Sequence, residues 1–116
     1  MKSTRDYLTD ILLYIVRIEQ ATQEGKAAFL TNPIRQDAVI REYEVIGEIA
    51  KRLPPDLLAS QSTVNWKTIK NFRDFLAHNY DRVDLNVIWD AVADLPALRE
   101  ATEALLAGLP PDSDDV

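Results

Sequence analysis

Apolar positions along this chain recur three and four residues apart, the spacing of one helix face, and no segment shows convincing strand alternation. Leu8, Ile11, Leu12, Ile15 and Ile18 mark a first helix from about Thr4 to Glu24, which Gly25 stops. Ala27, Ala28, Phe29 and Leu30 form a short connector that packs through Phe29. A second long helix opens with Asn32 as N-cap and Pro33 at the first helical position, and Pro54-Pro55 ends it near Leu53. On a wheel of about 100° per residue, Ile34, Ala38, Val39, Tyr43, Val45, Ile46, Ile49 and Ala50 cover nearly half its circumference. So wide a face calls for at least two neighbours. Asp37, Arg41, Glu44 and Glu48 form a narrow polar stripe opposite, which reads as a solvated edge with intrahelical charge pairs.

Asp56 to Val64 reads as a loop with one helical turn. Asn65 then caps a third helix beginning at Trp66, and Asp84 caps a fourth bearing Leu85, Ile88, Trp89, Val92 and Leu95. Pro96 starts or kinks a fifth segment with Leu98, Ala101 and Leu105, closed by Gly108. The expected architecture is all-α, a bundle of four to five helices.

The third helix breaks its own pattern. Trp66, Ile69, Phe72, Leu76 and Ala77 make its apolar face, yet Arg73 falls in the middle of that face while Phe75 points to the polar side. A guanidinium inside an apolar stripe is costly unless it meets an anion or a partly wet interface. Both exceptions fit a helix covered on two sides, one cover being a partner chain.

Composition narrows the function classes. The chain has 116 residues, enough for one domain, and no cysteine, so it has no disulfide, no thiolate nucleophile and no cysteine-ligated zinc. No apolar run reaches the roughly 20 residues that cross a bilayer, and Asp6 and Asp10 interrupt the first apolar stretch where a signal peptide would need it continuous. A cytoplasmic protein with no membrane partner is expected. The net charge of −6 argues against a long nucleic-acid groove and for local contacts only. Residues 1–109 are expected to form the helical domain and 110–116 an acidic, disordered tail.

The candidate chemistry lies in the third helix and just beyond it. His78 is the single histidine, and imidazole is the side chain suited to exchanging protons near neutral pH. Arg73 offers a planar fork for a phosphate or a developing oxyanion. Five residues apart, the two side chains lie about 140° apart around a straight helix. Either the helix unwinds near Ala77, or Arg73 of one subunit meets His78 of another across a two-fold interface. Asp74 is placed to orient a neighbour or to pair with Arg73 or Lys70, and Asn79 to hold a phosphate or end the helix. Lys67, Lys70 and Arg73 form a short basic strip, with Arg82 beyond it, as a candidate path for a phosphate backbone.

The order Arg73-Asp74-x-x-x-His78-x-Tyr80 resembles the signature of HEPN-domain ribonucleases, and more narrowly the Arg-x4-His-x-Tyr form of HepT-like toxins. Gln36 to Arg41, Glu44 to Glu48, Trp66 to Ile69, Val83-Asp84, Val87 to Trp89 and Leu95-Pro96-x-Leu98 are similar to the same family's framework. The resemblance extends over about residues 4 to 106. Asp74 stands where many relatives have asparagine.

The resemblance implies a dimeric HEPN bundle and a metal-independent endoribonuclease without cofactor, acting on RNA rather than DNA. Arg73 and His78 would be catalytic at the homodimer interface, supported by Asp74 and Asn79. It also implies a toxin whose partner is a nucleotidyltransferase antitoxin that silences it by attaching AMP to Tyr80. The alternatives are a non-catalytic subunit that docks such a nucleotidyltransferase or binds nucleotide, and a structural helical dimer.

Overall fold

The structure, a computed structural model, describes residues 2–78 and 83–110. Among them are seven helices and no strand: α1 Thr4–Thr22, α2 Lys26–Leu30, α3 Pro33–Arg52, α4 Pro55–Ala59, α5 Trp66–His78, α6 Leu85–Val92 and α7 Leu95–Gly108. Five long helices make the expected all-α bundle, and the two five-residue helices are connectors. Asn79, Tyr80 and Arg82, and the tail from residue 111, lie outside the described residues.

The capping chemistry works as the residue types require. Ser3 and Asp6 form a reciprocal capping box on α1, each bonding the other's backbone N–H. The Asn32 carboxamide oxygen accepts from the N–H groups of Ile34 and Arg35 with Pro33 at the first helical position. Asn65 accepts from Thr68 N at 3.1 Å and Asp84 from Asn86 N at 2.9 Å, starting α5 and α6 where the sequence places them. Gly25 takes φ of 96° between α1 and α2, a backbone state that only glycine adopts without strain.

The central element is α3, packed between α5 on one side and α1 on the other, with α7 against α1. Leu8, Ile11, Ile15 and Ile18 of α1 are fully buried, as are Phe29 and Val39. Each such side chain contributes on the order of 1.5–3 kcal/mol, so the α1–α3–α7 seam carries much of the stability. Phe29 anchors the connector by packing on Trp89 at 5.6 Å between ring centroids, as the sequence leads one to expect.

Two expectations change. Ile34, assigned to the broad apolar face of α3, is 81% exposed: in the first turn of α3 it is Arg35 and Gln36 that meet Glu24 and Phe29, and Ile34 faces outward. Leu95 opens α7 rather than closing α6, since Ala93 and Asp94 turn the chain between them.

Candidate active site

The position of α5 is set at its start and along its buried face. Asn65 caps its start, and the Trp66 indole N–H donates to the Gln61 carbonyl at 3.2 Å, tying the helix to the preceding loop. Leu76 is fully buried, Phe72 meets Tyr43 edge-on at 5.5 Å, and Phe75 stacks on Phe72 at 6.5 Å. Half-exposed Phe75 thus belongs to an aromatic chain running from the core outward.

Arg73 does sit on the face that α5 turns toward α3, and Gly47 makes this workable. A Cβ built on Gly47 would lie 2.3 Å from Arg73 Cβ and 3.0 Å from both Arg73 Cγ and the Ile69 carbonyl oxygen. The Arg73 stem therefore lies against bare α3 backbone, and its guanidinium runs on to the rim. There Nε meets Glu48 at 3.2 Å and Nη1 meets Asp74 at 3.3 Å. The side chain keeps 32% of its surface exposed. The stem packs and the charge finds anions at a wet edge, so the cost of burying a cation is not incurred.

Asp74 is shared. Its carboxylate pairs with Lys51, at the end of α3, and with Arg73. The hydrogen bond from Lys51, with Arg73 adding to it, holds the Asp74 carboxyl below the usual range. Of the two partners the sequence predicts, Arg73 pairs with Asp74; Lys51 stands 23 residues away, and only the α3–α5 packing brings it over.

The backbone of the same residue serves His78. His78 Nδ1 lies 2.8 Å from the Asp74 carbonyl oxygen, and the ring is exposed. A carbonyl only accepts, so Nδ1 carries the proton and Nε2 is the ring nitrogen left free to take one. One residue thereby touches both candidate groups, Arg73 through its carboxylate and His78 through its carbonyl.

Helix α5 is continuous to His78, which removes the option that it unwinds near Ala77. On a regular helix Arg73 and His78 remain about 140° apart. Arg73 turns to α3 and His78 stands at the exposed C-terminal end.

Beside Arg73 opens a cleft of about 300 Å³ between α1 and α3, walled by Tyr7, Tyr14, Arg41, Glu44, Glu48 and Arg52, with Lys2 and Asp10 at its edge. Lys67 and Lys70 do not line it. The polar stripe of α3 is thus only partly a solvated edge: Glu48 pairs within the helix to Arg52 but also across to Arg73. A second, more apolar hollow of about 490 Å³ lies among α3, α5, α6 and α7 and contains neither Arg73 nor His78. Among the described residues no group of three His, Asp or Glu side chains is placed to hold a metal ion.

Residues 11–105 match the model of the family described as ribonuclease HepT-like. The chain is 39% identical over 106 residues to "Probable ribonuclease HepT" of Thermococcus cleftensis, covering 90% of this chain and 96% of that one. It is 33% identical over 111 residues to "Putative RNase" of Caldanaerobacter subterraneus, covering 91% and 96% respectively. A longer relative, "Gamma-glutamylcyclotransferase and putative RNase" of Methanocaldococcus jannaschii, is 39% identical over 101 residues; these are 85% of this chain but 46% of that protein. No solved structure gives a significant match. With the family model covering most of the chain and full-length relatives above 30% identity, the chain belongs to the HepT-like ribonuclease family.

Proposed function

We propose that this protein is a metal-independent endoribonuclease, the toxin of a toxin–antitoxin pair, with Arg73 and His78 brought together in a homodimer. The observation that carries the reading is the arrangement around Asp74. Its carboxylate holds Arg73 at the lip of an open cleft, and its carbonyl leaves Nε2 of exposed His78 as the free ring nitrogen. The family membership and the names of the full-length relatives support RNA as the substrate.

Cleavage then needs no group beyond those of the protein and the RNA. His78 Nε2 takes the proton of a ribose 2′-hydroxyl, whose oxygen attacks the adjacent phosphorus as the bond to the 5′-oxygen breaks. The products are a 2′,3′-cyclic phosphate and a 5′-hydroxyl; the leaving oxygen takes a proton from water, and the hydroxide so formed takes up the proton held by His78. Arg73 binds the non-bridging phosphate oxygens, where charge accumulates. Because one regular α5 turns the two side chains apart, the pair is assembled from Arg73 of one subunit and His78 of the other. Asn79 is assigned a supporting contact and Arg82 a contact with RNA.

Tyr80 follows His78 by two residues. We assign it as the site at which a nucleotidyltransferase antitoxin attaches AMP. A bulky anion there would repel the RNA backbone from the neighbouring catalytic groups.

The test is cleavage of RNA in chelator by wild type, Arg73→Ala and His78→Ala. Loss in both variants supports the reading, whereas intact RNA with unmodified wild type sinks it. Mixing the two inactive variants tests the shared site. Random re-pairing across a two-fold interface restores up to about a quarter of the activity, while a site confined to one chain restores none. Mass spectrometry after incubation with the nucleotidyltransferase and ATP must find AMP on Tyr80 for the switch to stand.

A further inference from the structure

The polar stripe of α3 forms one wall of the cleft that Arg73 enters, and its cations are arranged along one line. Arg41, Glu48 and Arg52 follow the same face of α3, and Glu48 is the residue that pairs with Arg73. At 1.5 Å per residue, Arg41 lies about 10 Å to one side of Glu48 along the axis and Arg52 about 6 Å to the other. The three arginines therefore run in a row with Arg73 between its neighbours.

The charges in the cleft differ from those of the chain as a whole. Four cations (Lys2, Arg41, Arg52, Arg73) face three carboxylates (Asp10, Glu44, Glu48) in a protein of net charge −6. Lys2 pairs with Asp10, and Arg52 and Arg73 share Glu48. Arg41 is exposed and has no hydrogen bond or ion pair among the described residues, so its charge is available to a ligand. On the facing wall, α1 contributes the rings of Tyr7, with the Lys2 ammonium 6.0 Å from its centroid, and Tyr14, with the Arg17 guanidinium 5.0 Å from its centroid. A line of arginines facing aromatic rings is the arrangement that holds a single nucleic-acid strand, phosphates on the cations and bases on the rings. The volume, about 300 Å³, admits part of one strand and not a duplex.

We infer that the cleft between α1 and α3 is the RNA-binding subsite of this protein: a single strand lies along α3, with its phosphates flanking the scissile one on Arg41 and Arg52 and a base against Tyr7 or Tyr14. This rests on the ribonuclease reading for the identity of the ligand. It places the strand on α1 and α3 rather than along the Lys67–Lys70 edge of α5. While no strand is bound, Glu48 pairs through one oxygen with Arg52 and through the other with Arg73 Nε; an arriving phosphate replaces it on Arg52, and its contact with Nε keeps Arg73 oriented.

The experiment is fluorescence anisotropy with a labelled, uncleavable 2′-O-methyl single-stranded RNA across a range of salt concentrations. Cleavage of the corresponding unmodified RNA is read separately, and circular dichroism confirms that each variant folds. Arg41→Ala should weaken binding about 5-fold or more and flatten the slope of log affinity against log salt by about 0.7, the loss of one phosphate contact. Tyr14→Leu should weaken binding several-fold without changing that slope, and Lys26→Ala, on α2, should bind as wild type. Folded Arg41→Ala and Tyr14→Leu that both bind as wild type overturn the subsite even if cleavage by wild type is confirmed. Wild type that binds through Arg41 but never cuts keeps the subsite and removes the catalytic reading. Wild type that binds no RNA overturns both.

Discussion

Gly47 of α3 and Arg73 of α5 share one point in space: a methyl group on the glycine would lie 2.3 Å from the arginine's Cβ. The two helices therefore approach closely at the candidate catalytic arginine. The absence of a side chain on one helix is what lets a cation cross an apolar seam on the other.

This relationship reverses the usual effect of replacing glycine in a helix. Alanine at an exposed helical position is favoured over glycine by roughly 1 kcal/mol. Gly47→Ala should instead destabilise by about 1–3 kcal/mol, since α3 and α5 must separate, and should lower RNA cleavage beyond the loss of folded protein. Gly108→Ala, at the end of α7 with open space around the added Cβ, should be neutral or stabilising by up to about 1 kcal/mol. Urea unfolding of both variants decides this. Equal and stabilising effects would mean that the α3–α5 contact is not as tight as described.

Removing one of the two anions that orient Arg73 should separate activity from stability. Glu48→Gln keeps the shape but loses the charge partner of Arg73 Nε and Arg52. The pairs are partly exposed, so stability should change by less than about 1 kcal/mol. Cleavage should fall about 10-fold as Arg73 loses its fixed orientation. Thermal unfolding and cleavage rates measured together check it. Unchanged cleavage would show that Glu48 does not position Arg73.

The pH behaviour of Asp74 follows from its partners. Lys51, and then Arg73, favour its charged form, so its folded pKa lies below the unfolded reference of 3.8. The sign is that of a depressed carboxylate: the pairing supports the fold above the unfolded value and is lost as pH falls through the folded one. An NMR titration of the Asp74 carboxyl carbon should therefore give a midpoint below 3.8, and Lys51→Ala should move it upward. A wild-type midpoint above 3.8 would contradict the pairing.

The cap of α5 should matter to the fold and less to the chemistry. Asn65→Ala leaves the N–H of Thr68 without its side-chain acceptor and should cost about 1 kcal/mol. Asn65 lies at the opposite end of α5 from His78, so cleavage per folded molecule should be retained. Chemical denaturation with activity normalised to the folded fraction distinguishes the two effects.

Much of the helical scaffold was legible because its determinants are local. The starts of α3, α5 and α6 follow from Asn32, Asn65 and Asp84, whose side chains bond backbone groups two or three residues away. The buried stripe of α1 follows from a 3.6-residue period. Residues 11–105 match the HepT-like family that the order of Arg73, His78 and Tyr80 resembles.

Other features depend on which helices meet, and that is a property of the whole chain. Ile34 satisfies the wheel of α3 yet faces outward. Lys51 partners Asp74, and Glu48 partners Arg73, only because α3 crosses α5 at Gly47. The sequence alone determined that Arg73 interrupts an apolar face and stands about 140° from His78. The tertiary structure decided what that interruption meets. It meets a bare glycine that admits the stem, two carboxylates that hold the charge, and an open cleft whose far wall comes from α1. Periodicity orders side chains around their own helix axis, whereas the partner of a charge is chosen by the packing of one axis against another.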